Sequence, residues 1–373
     1  MNTPPPLLAG RVVRGPESAR IWVDDRPYVN FVGSSYLALQ DQAELRDAGR
    51  RAVELGQAWS QMRSAAHGGG LDPAFDAILD EGARFFGTET SVFMPTGYFC
   101  GPAAVAALEP SFDALLIDEL AHFSLHDAAR LSKCPSVVFA HSNANALNDA
   151  VRRCKLAGER PLVLTDGVFA TTGRIPPLAD YACIAAEACG LLFVDESHAY
   201  GVVGEHGRGA AEHCGVAAAA YHHAGTLGKG FCAQGGLLPS TREIAARARS
   251  LPPARGAGAG SPVSALVAAA ALRFTREHPE RRARLLAVSQ RLKSGLRTLG
   301  LDIVETPAPI TAFRIGRRPQ MLALQRSLFD DGLHVAVSTY IGSGTEGMIR
   351  CATFADHSDG DIDALVQGLR TRL

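Results

Sequence analysis

Apolar and polar positions change period along the chain, and that change marks out its elements. Near the start, "RIWVDDRPYVNF" (20–31) sets two β-rich runs around an Asp24-Asp25 turn. This predicts a short hairpin in an otherwise irregular arm over 1–30. Residues 40–58 and 72–86 carry apolar residues at helical spacing. Between about 89 and 240, short unbroken apolar runs take over: "SVFM", "ALLID", "SVVFA", "PLVLTD", "LLFVDE" and "GGLLPS", with helical stretches such as 176–189 between them. This strand–helix rhythm predicts an α/β fold, a mainly parallel sheet with helices on both faces. Residues 251–263, "LPPARGAGAGSPV", read as a Pro/Gly-rich joint. A long helical stretch over 264–299 follows. Strand 310–315, helix 318–331, strands 333–338 and 347–353, and helix 359–372 then predict a smaller α+β part. The expected organisation is an N-terminal arm and small-domain segment (1–45), a large α/β domain (46–262) and a small C-terminal domain (263–373).

Composition narrows the classes. The 373 residues suffice for one large domain and a smaller one, and 47% hydrophobic with 20% charged residues suits a globular core. A formal net charge of -1 argues against a nucleic-acid partner. No apolar run approaches the roughly 20 residues that span a bilayer, so no membrane segment is expected. The first ten residues hold three consecutive prolines and no charged n-region, which does not suit a secretory signal. Eight cysteines without a CxxC pair read as reduced thiols in a cytoplasmic protein. Only four of the 37 basic residues are lysines: Lys133, Lys155, Lys229 and Lys293.

That scarcity draws attention to Lys229, which lies in "GTLGKGFCAQGG" among small and apolar neighbours. Flanking glycines let the backbone turn tightly and approach a ligand. A free amine is a poor nucleophile at neutral pH, and desolvation or imine formation overcomes this. Asp195 ends the apolar run of "LLFVDESHAYG", where a carboxylate can keep a pyridine nitrogen protonated. His198, three residues on, can hydrogen-bond a phenolic oxygen. His122, in "DELAHFSLHDAARLS", can stack on a ring; the HExxH pattern of a zinc site is absent. Gly97 and Tyr98, in "MPTGYFCG", sit where a glycine turn opens a helix, and amides there attract phosphate. Thr226 can add a hydroxyl. Arg350, in "GMIRCATFADHS", offers a fork for a carboxylate. The glycine-rich "GVVGEHGRG" (201–209) lacks the GxGxxG spacing of a dinucleotide site. Each residue also has a plain structural reading: a loop lysine, an N-cap or strand-end aspartate, core histidines, a surface arginine. Their joint order is the informative signal.

That order, with "VDESHAYGVVGEHGRG" and "GTLGKG" as its most specific pieces, resembles the α-oxoamine synthase family. The similarity runs from "VNFVGSSYLAL" near residue 30 to "DIDALVQGL" at the end. The resemblance implies the aspartate-aminotransferase-like fold (fold type I) and pyridoxal 5'-phosphate as cofactor. It makes Lys229 the Schiff-base lysine that also shuttles a proton, Asp195 the partner of the pyridinium and His198 the partner of the phenolic oxygen. His122, in "HFS", becomes the stacking ring. Gly97, Tyr98 and Thr226 become the phosphate site, and Arg350 the ligand of the substrate carboxylate. The implied reaction is an acyl transfer: decarboxylative condensation of an amino acid with an acyl thioester, from CoA or a carrier protein, to an α-amino ketone. Racemisation, aldol-type cleavage or transamination in the same fold is the alternative. A cytoplasmic homodimer is also implied. Four places depart from the family pattern. Ser34 stands where an active-site Asn is common, Ala170 replaces a Ser in "VFATTG", and Leu79 takes a glutamate position in "FDAILD". The family's Ser/Thr phosphate contact is missing from "GAGAGSP".

Overall fold

The computed structural model describes residues 7–55, 73–251 and 260–373. Residues 56–58 of the first expected helix, the core of the joint at 251–263 and most of "GAGAGSP" therefore lie outside the described residues. The chain divides into two compact units. One holds the residues up to Ala38, Ala170–Arg174 and Glu280–Leu373; the other holds Leu39–Phe169 and Ile175–Pro279.

Strand β1 (Val13–Arg14) pairs with β2 (Arg20–Val23), which forms the expected hairpin with β3 (Arg26–Asn30). Asp24 and Asp25 make the turn at φ 49° and 64°. Positive φ at both central residues matches the right-handed twist of the flanking strands.

The second unit carries a seven-stranded sheet in the order β4-β10-β9-β8-β7-β5-β6. Its strands are β4 (Thr90–Met94), β5 (Ala114–Asp118), β6 (Ser136–Phe139), β7 (Pro161–Asp166), β8 (Leu191–Asp195), β9 (His222–Thr226) and β10 (Gly236–Ser240). β10 runs antiparallel to both neighbours, and the remaining pairs are parallel. The expected mainly parallel sheet is thus present. Its central strands are buried along their length, as unbroken apolar runs require. Leu115, Leu162, Leu164 and Phe193 pack in one core with helix Cys100–Leu108. Each such side chain contributes roughly 1.5–3 kcal/mol by burial. The chain leaves β5 toward β6 and then returns to the other side of β5 at β7. Reversals of this kind open a crevice at the carboxyl ends of parallel strands.

The first unit completes its ribbon with β12 (Leu333–His334), parallel to β3. Its other sheet has the order β11-β14-β13, formed by β11 (Ile310–Phe313), β13 (Ala336–Ser338) and β14 (Met348–Ala352).

Three expectations need correction. The helical stretch at 264–299 is two helices, Pro262–Glu277 and Pro279–Arg297. Proline at a first helical position starts a helix well and disfavours helical geometry in the residue before it. The strand expected at 333–338 is split at Val335 between two sheets. β9, "HHAGT", was not read as a strand, yet it lies between β8 and β10. The division after Ala38 and Pro279 also differs from the expected boundaries at 45/46 and 262/263. Helix Pro262–Glu277 packs on helices Ala43–Glu54 and Pro73–Phe86 and so belongs with the large unit.

Candidate active site

The carboxyl ends of β7, β8 and β9, with the loops after β4, β5 and β9, enclose a cavity of about 180 Å³. Thr96, Gly97, Tyr98, His122, Asp166, Asp195, His198, Thr226 and Lys229 are among its lining residues. Seven residues singled out from the sequence therefore meet in one place.

The strand register builds the acidic wall. Asp166 and Asp195 end adjacent parallel strands and are direct register partners. Both are buried, Asp195 at 8% exposure. Asp195 Oδ1 accepts the Ser197 N–H at 3.0 Å. Asp166 Oδ1 accepts the His122 N–H at 3.2 Å. Burial first, and the Asp195 charge next, push the Asp166 carboxyl well above the usual carboxylate range; the His122 N–H and the Lys229 charge oppose this. Two neighbouring carboxyls in a dry site do not both ionise readily.

Lys229 comes from the loop between β9 and β10. That loop is closed by Leu227 N–H donating to Gly235 O at 2.9 Å and Ala233 N–H donating to Leu227 O at 3.0 Å. Gly230 is required there, since a Cβ would lie 2.2 Å from the Tyr200 carbonyl. Lys229 Nζ lies 2.8 Å from His198 Nε2. The lysine and Asp-x-x-His motifs, far apart in sequence, are therefore in direct contact.

His122 caps helix Phe123–Leu131, its Nδ1 accepting the Ser124 N–H at 3.2 Å. Burial is the main reason its pKa falls below the ordinary histidine value, which favours a neutral ring. The ring stands 5.9 Å from that of Tyr98, whose hydroxyl donates to Asp127.

Opposite, Gly97–Phe99 forms a 3-10 turn leading into helix Cys100–Leu108. A Cβ on Gly97 would lie 2.4 Å from Thr226 Cβ and 2.7 Å from Thr226 Cα. Only glycine lets this turn approach β9 so closely. The Thr226 hydroxyl donates to Gly235 O at 3.2 Å and accepts the Gly228 N–H at 3.1 Å. Amides at a helix start beside a hydroxyl fit a phosphate. His122, Asp195 and Lys229 line this one cavity; a ring to stack on, a carboxylate and an amine are what an aldehyde-bearing pyridine needs, so the residues present suit the cofactor that the sequence implies.

Each remaining expected residue has partners within its own unit. Arg350, on β14 of the first unit, donates from Nε to Ala170 O at 2.9 Å, from Nη1 to Gly33 O at 3.3 Å and from Nη2 to Tyr36 Oη at 3.4 Å. Ser34 belongs to the same unit, where its N–H donates to Glu17 Oε1 at 3.0 Å. Leu79 is on helix Pro73–Phe86, its carbonyl accepting from Ser91 Oγ at 3.1 Å. Asp118, at the end of β5, accepts from the Leu120 and Ser142 N–H groups and contacts His141. Sequence reasoning gave no role to Thr96, Ser124 or Ser197. Ser197, whose Oγ accepts the Thr226 N–H at 3.0 Å, sits between two residues already chosen, and Asp166 ends its run as Asp195 does.

The profile of the family described as aminotransferase class I and II matches residues 40–369. The chain is 33% identical over 373 aligned residues to an 8-amino-7-oxononanoate synthase of Methylococcus capsulatus, covering 96% of this chain and 92% of the relative. It is 31% identical to one of Geotalea daltonii, again over 96% and 92%. Among solved structures, a serine palmitoyltransferase of Sphingomonas wittichii superposes with a TM-score of 0.89 at 25% identity, over 98% of this chain and 92% of that one.

Proposed function

The chain belongs to the aminotransferase class I and II family, and from that premise we propose that it is an acyltransferase that condenses an amino acid with an acyl thioester, releasing CO2 and leaving an α-amino ketone. The resemblance to α-oxoamine synthases is borne out by curated relatives named 8-amino-7-oxononanoate synthase, and the fold is that of fold type I. The cofactor is pyridoxal 5'-phosphate. One observation carries the assignment of the site: Lys229 Nζ meets His198 Nε2 at 2.8 Å in the cavity that Asp195 and the Gly97 turn also line.

When bound, this cofactor supplies an aldehyde for an amine and a cationic ring that draws electron density from a substrate carbon. The protein supplies the rest. Lys229 Nζ is the amine that would hold the aldehyde carbon, and as a free amine it would take the substrate's α-proton. Asp195 keeps a proton on the ring nitrogen. Its position in a buried strand end makes that ion pair stronger than one in water. His198 Nε2 offers a hydrogen bond to the phenolic oxygen and restrains the lysine amine. Neutral His122 forms one wall of the ring slot. The Gly97 and Tyr98 amides and the Thr226 hydroxyl take the phosphate. Arg350 is assigned to the substrate carboxylate, whose orientation decides which bond is broken.

The reading carries with it a cytoplasmic homodimer. The eight cysteines are all unpaired, which suits a reducing compartment, and among the described residues no helix is long and apolar enough to cross a membrane. The relatives' names favour condensation over racemisation, cleavage or transamination. The deciding experiment incubates holoenzyme with amino acids and acyl-CoA or acyl-carrier-protein thioesters. Equal release of CO2 and free thiol is expected. A keto acid or an inverted amino acid without thiol release overturns the assignment.

A further inference from the structure

The opposite end of the same strands holds a second cavity, of about 680 Å³. It opens at the start of β9 and the end of antiparallel β10, where Ser240 is the register partner of Thr90. The catalytic cavity lies at the other end of the same strands, where Gly236 partners Thr226. The two sites are therefore separated by the length of β9.

Three features of this second cavity are not used by the proposed chemistry. The Ser240 hydroxyl is buried, 7% exposed as a residue, and has no hydrogen-bond partner among the described residues. A buried hydroxyl left unpaired is unfavourable and is ordinarily satisfied by something. Arg208 is half-buried, and only its Nε is engaged, donating to Phe85 O at 2.8 Å. The outer nitrogens have no partner among the described residues, and the guanidinium lies against Gly87, where a Cβ would sit 3.4 Å from Nη1. Third, the walls are aromatic. Phe86 and Tyr221 flank His223, with ring centroids 5.4 and 5.1 Å from it. His223 Nδ1 is 2.6 Å from the Tyr200 hydroxyl, and burial pushes its pKa down to about 3, so this ring is neutral.

The carboxylates that face the cavity are already committed. Glu212 accepts from the His206 and Arg208 N–H groups, and its Oε1 lies 2.8 Å from His206 Nδ1. Glu89 accepts the Arg242 N–H at 3.0 Å. What remains uncommitted in the wall is a planar cationic fork, an unpaired buried hydroxyl and aromatic rings. A guanidinium fork selects a carboxylate bidentately, and ring walls select a flat, apolar body. We propose that this cavity is a second small-molecule site, distinct from the catalytic one, that takes a small aromatic or heteroaromatic carboxylate with its anionic group on Arg208 and a hydrogen bond to Ser240.

Benzoate is the probe, with benzamide as the uncharged match, titrated into holoenzyme by calorimetry and ligand-observed NMR. Because Arg350 is itself assigned to a carboxylate, Arg350→Gln separates the two sites. Saturable benzoate binding is expected in the wild type and in Arg350→Gln, with benzamide silent. Arg208→Gln should weaken it by about 10-fold or more, the usual loss for a charge-assisted fork. Ser240→Ala, which removes only an unpaired hydroxyl and so leaves folding intact, should weaken it by about two- to fivefold. No binding at roughly ten times a millimolar Kd overturns the proposal. So does equal binding by wild type and a folded Arg208→Gln, or loss in Arg350→Gln alone. Should Arg208→Gln not fold, unchanged affinity in Ser240→Ala counts against the site.

Discussion

Replacing Gly97 by alanine probes the phosphate turn with one methyl group. The added Cβ would stand 2.4 Å from Thr226 Cβ, 2.7 Å from Thr226 Cα and 2.9 Å from Thr226 Oγ1. Rotating the threonine side chain relieves the contact with Oγ1 but not that with Cα, which belongs to a strand held on both sides by β8 and β10. The turn must therefore retreat by roughly 1 Å to restore ordinary contact distances. Overpacking of this kind destabilises by about 1–3 kcal/mol. A shift of that size also pulls the Gly97 and Tyr98 amides away from an anion. Hydrogen bonds to charged groups contribute about 1.5–3 kcal/mol each, so losing the equivalent of one weakens cofactor binding by about 10- to 150-fold. The assay is titration of cofactor-free protein with pyridoxal phosphate by fluorescence quenching, with thermal unfolding in parallel. Gly360→Ala, where the nearest atom would be Ser358 Oγ at 3.7 Å in helix Asp359–Arg370, is the control and should match the wild type in cofactor affinity and melt no lower. A Gly97→Ala variant with cofactor affinity within about twofold of wild type and an unchanged melting temperature would refute the assignment of this turn.

Asp166 and Lys293 give opposite pH signatures in the cofactor-free protein. The raised Asp166 pKa means that the folded state binds the extra proton, so this stability is full below the unfolded carboxylate pKa and is lost as pH rises toward the folded value. Asp166→Asn keeps an acceptor for the His122 N–H and should unfold at higher temperature than wild type at pH 8, by a few degrees; equal or lower melting would contradict this. Lys293 Nζ donates to the Thr306 and Ala308 carbonyls at 2.6 Å, and burial lowers its pKa from 10.5 to about 8. Here the unfolded state binds the extra proton, so wild-type stability should rise between pH 8 and 10.5 by up to one proton's worth of slope. Lys293→Met should flatten that rise in denaturant titrations. Arg350→Lys removes the planar fork and should raise the amino-acid KM by about 10- to 100-fold, with thiol release as the readout.

Much of this was legible in the sequence because parallel strands buried on both faces leave unbroken apolar runs, and "ALLID", "PLVLTD" and "LLFVDE" became β5, β7 and β8. β9 left no such run. His223 satisfies a tertiary contact with Tyr200, and Gly225 is small because a Cβ would be 2.9 Å from the Tyr200 ring. The break at His278-Pro279 was signalled by proline alone, within continuous helical periodicity. At the site, Lys229, Asp195 and His198 stood out by motif, but their contact depends on β8 and β9 being neighbours. Asp166 owes its raised pKa first to burial and next to its register beside Asp195, and no local pattern in "PLVLTD" carries that pairing.

The most direct test of the account fixes the cofactor where it is held. Holoenzyme is reduced with borohydride, digested, and mapped by peptide mass spectrometry. The account predicts one stable pyridoxyl adduct, on Lys229, with the visible absorbance bleached and both signals absent from Lys229→Ala. An adduct on Lys133, Lys155 or Lys293 instead, or retained colour and labelling in Lys229→Ala, would contradict it.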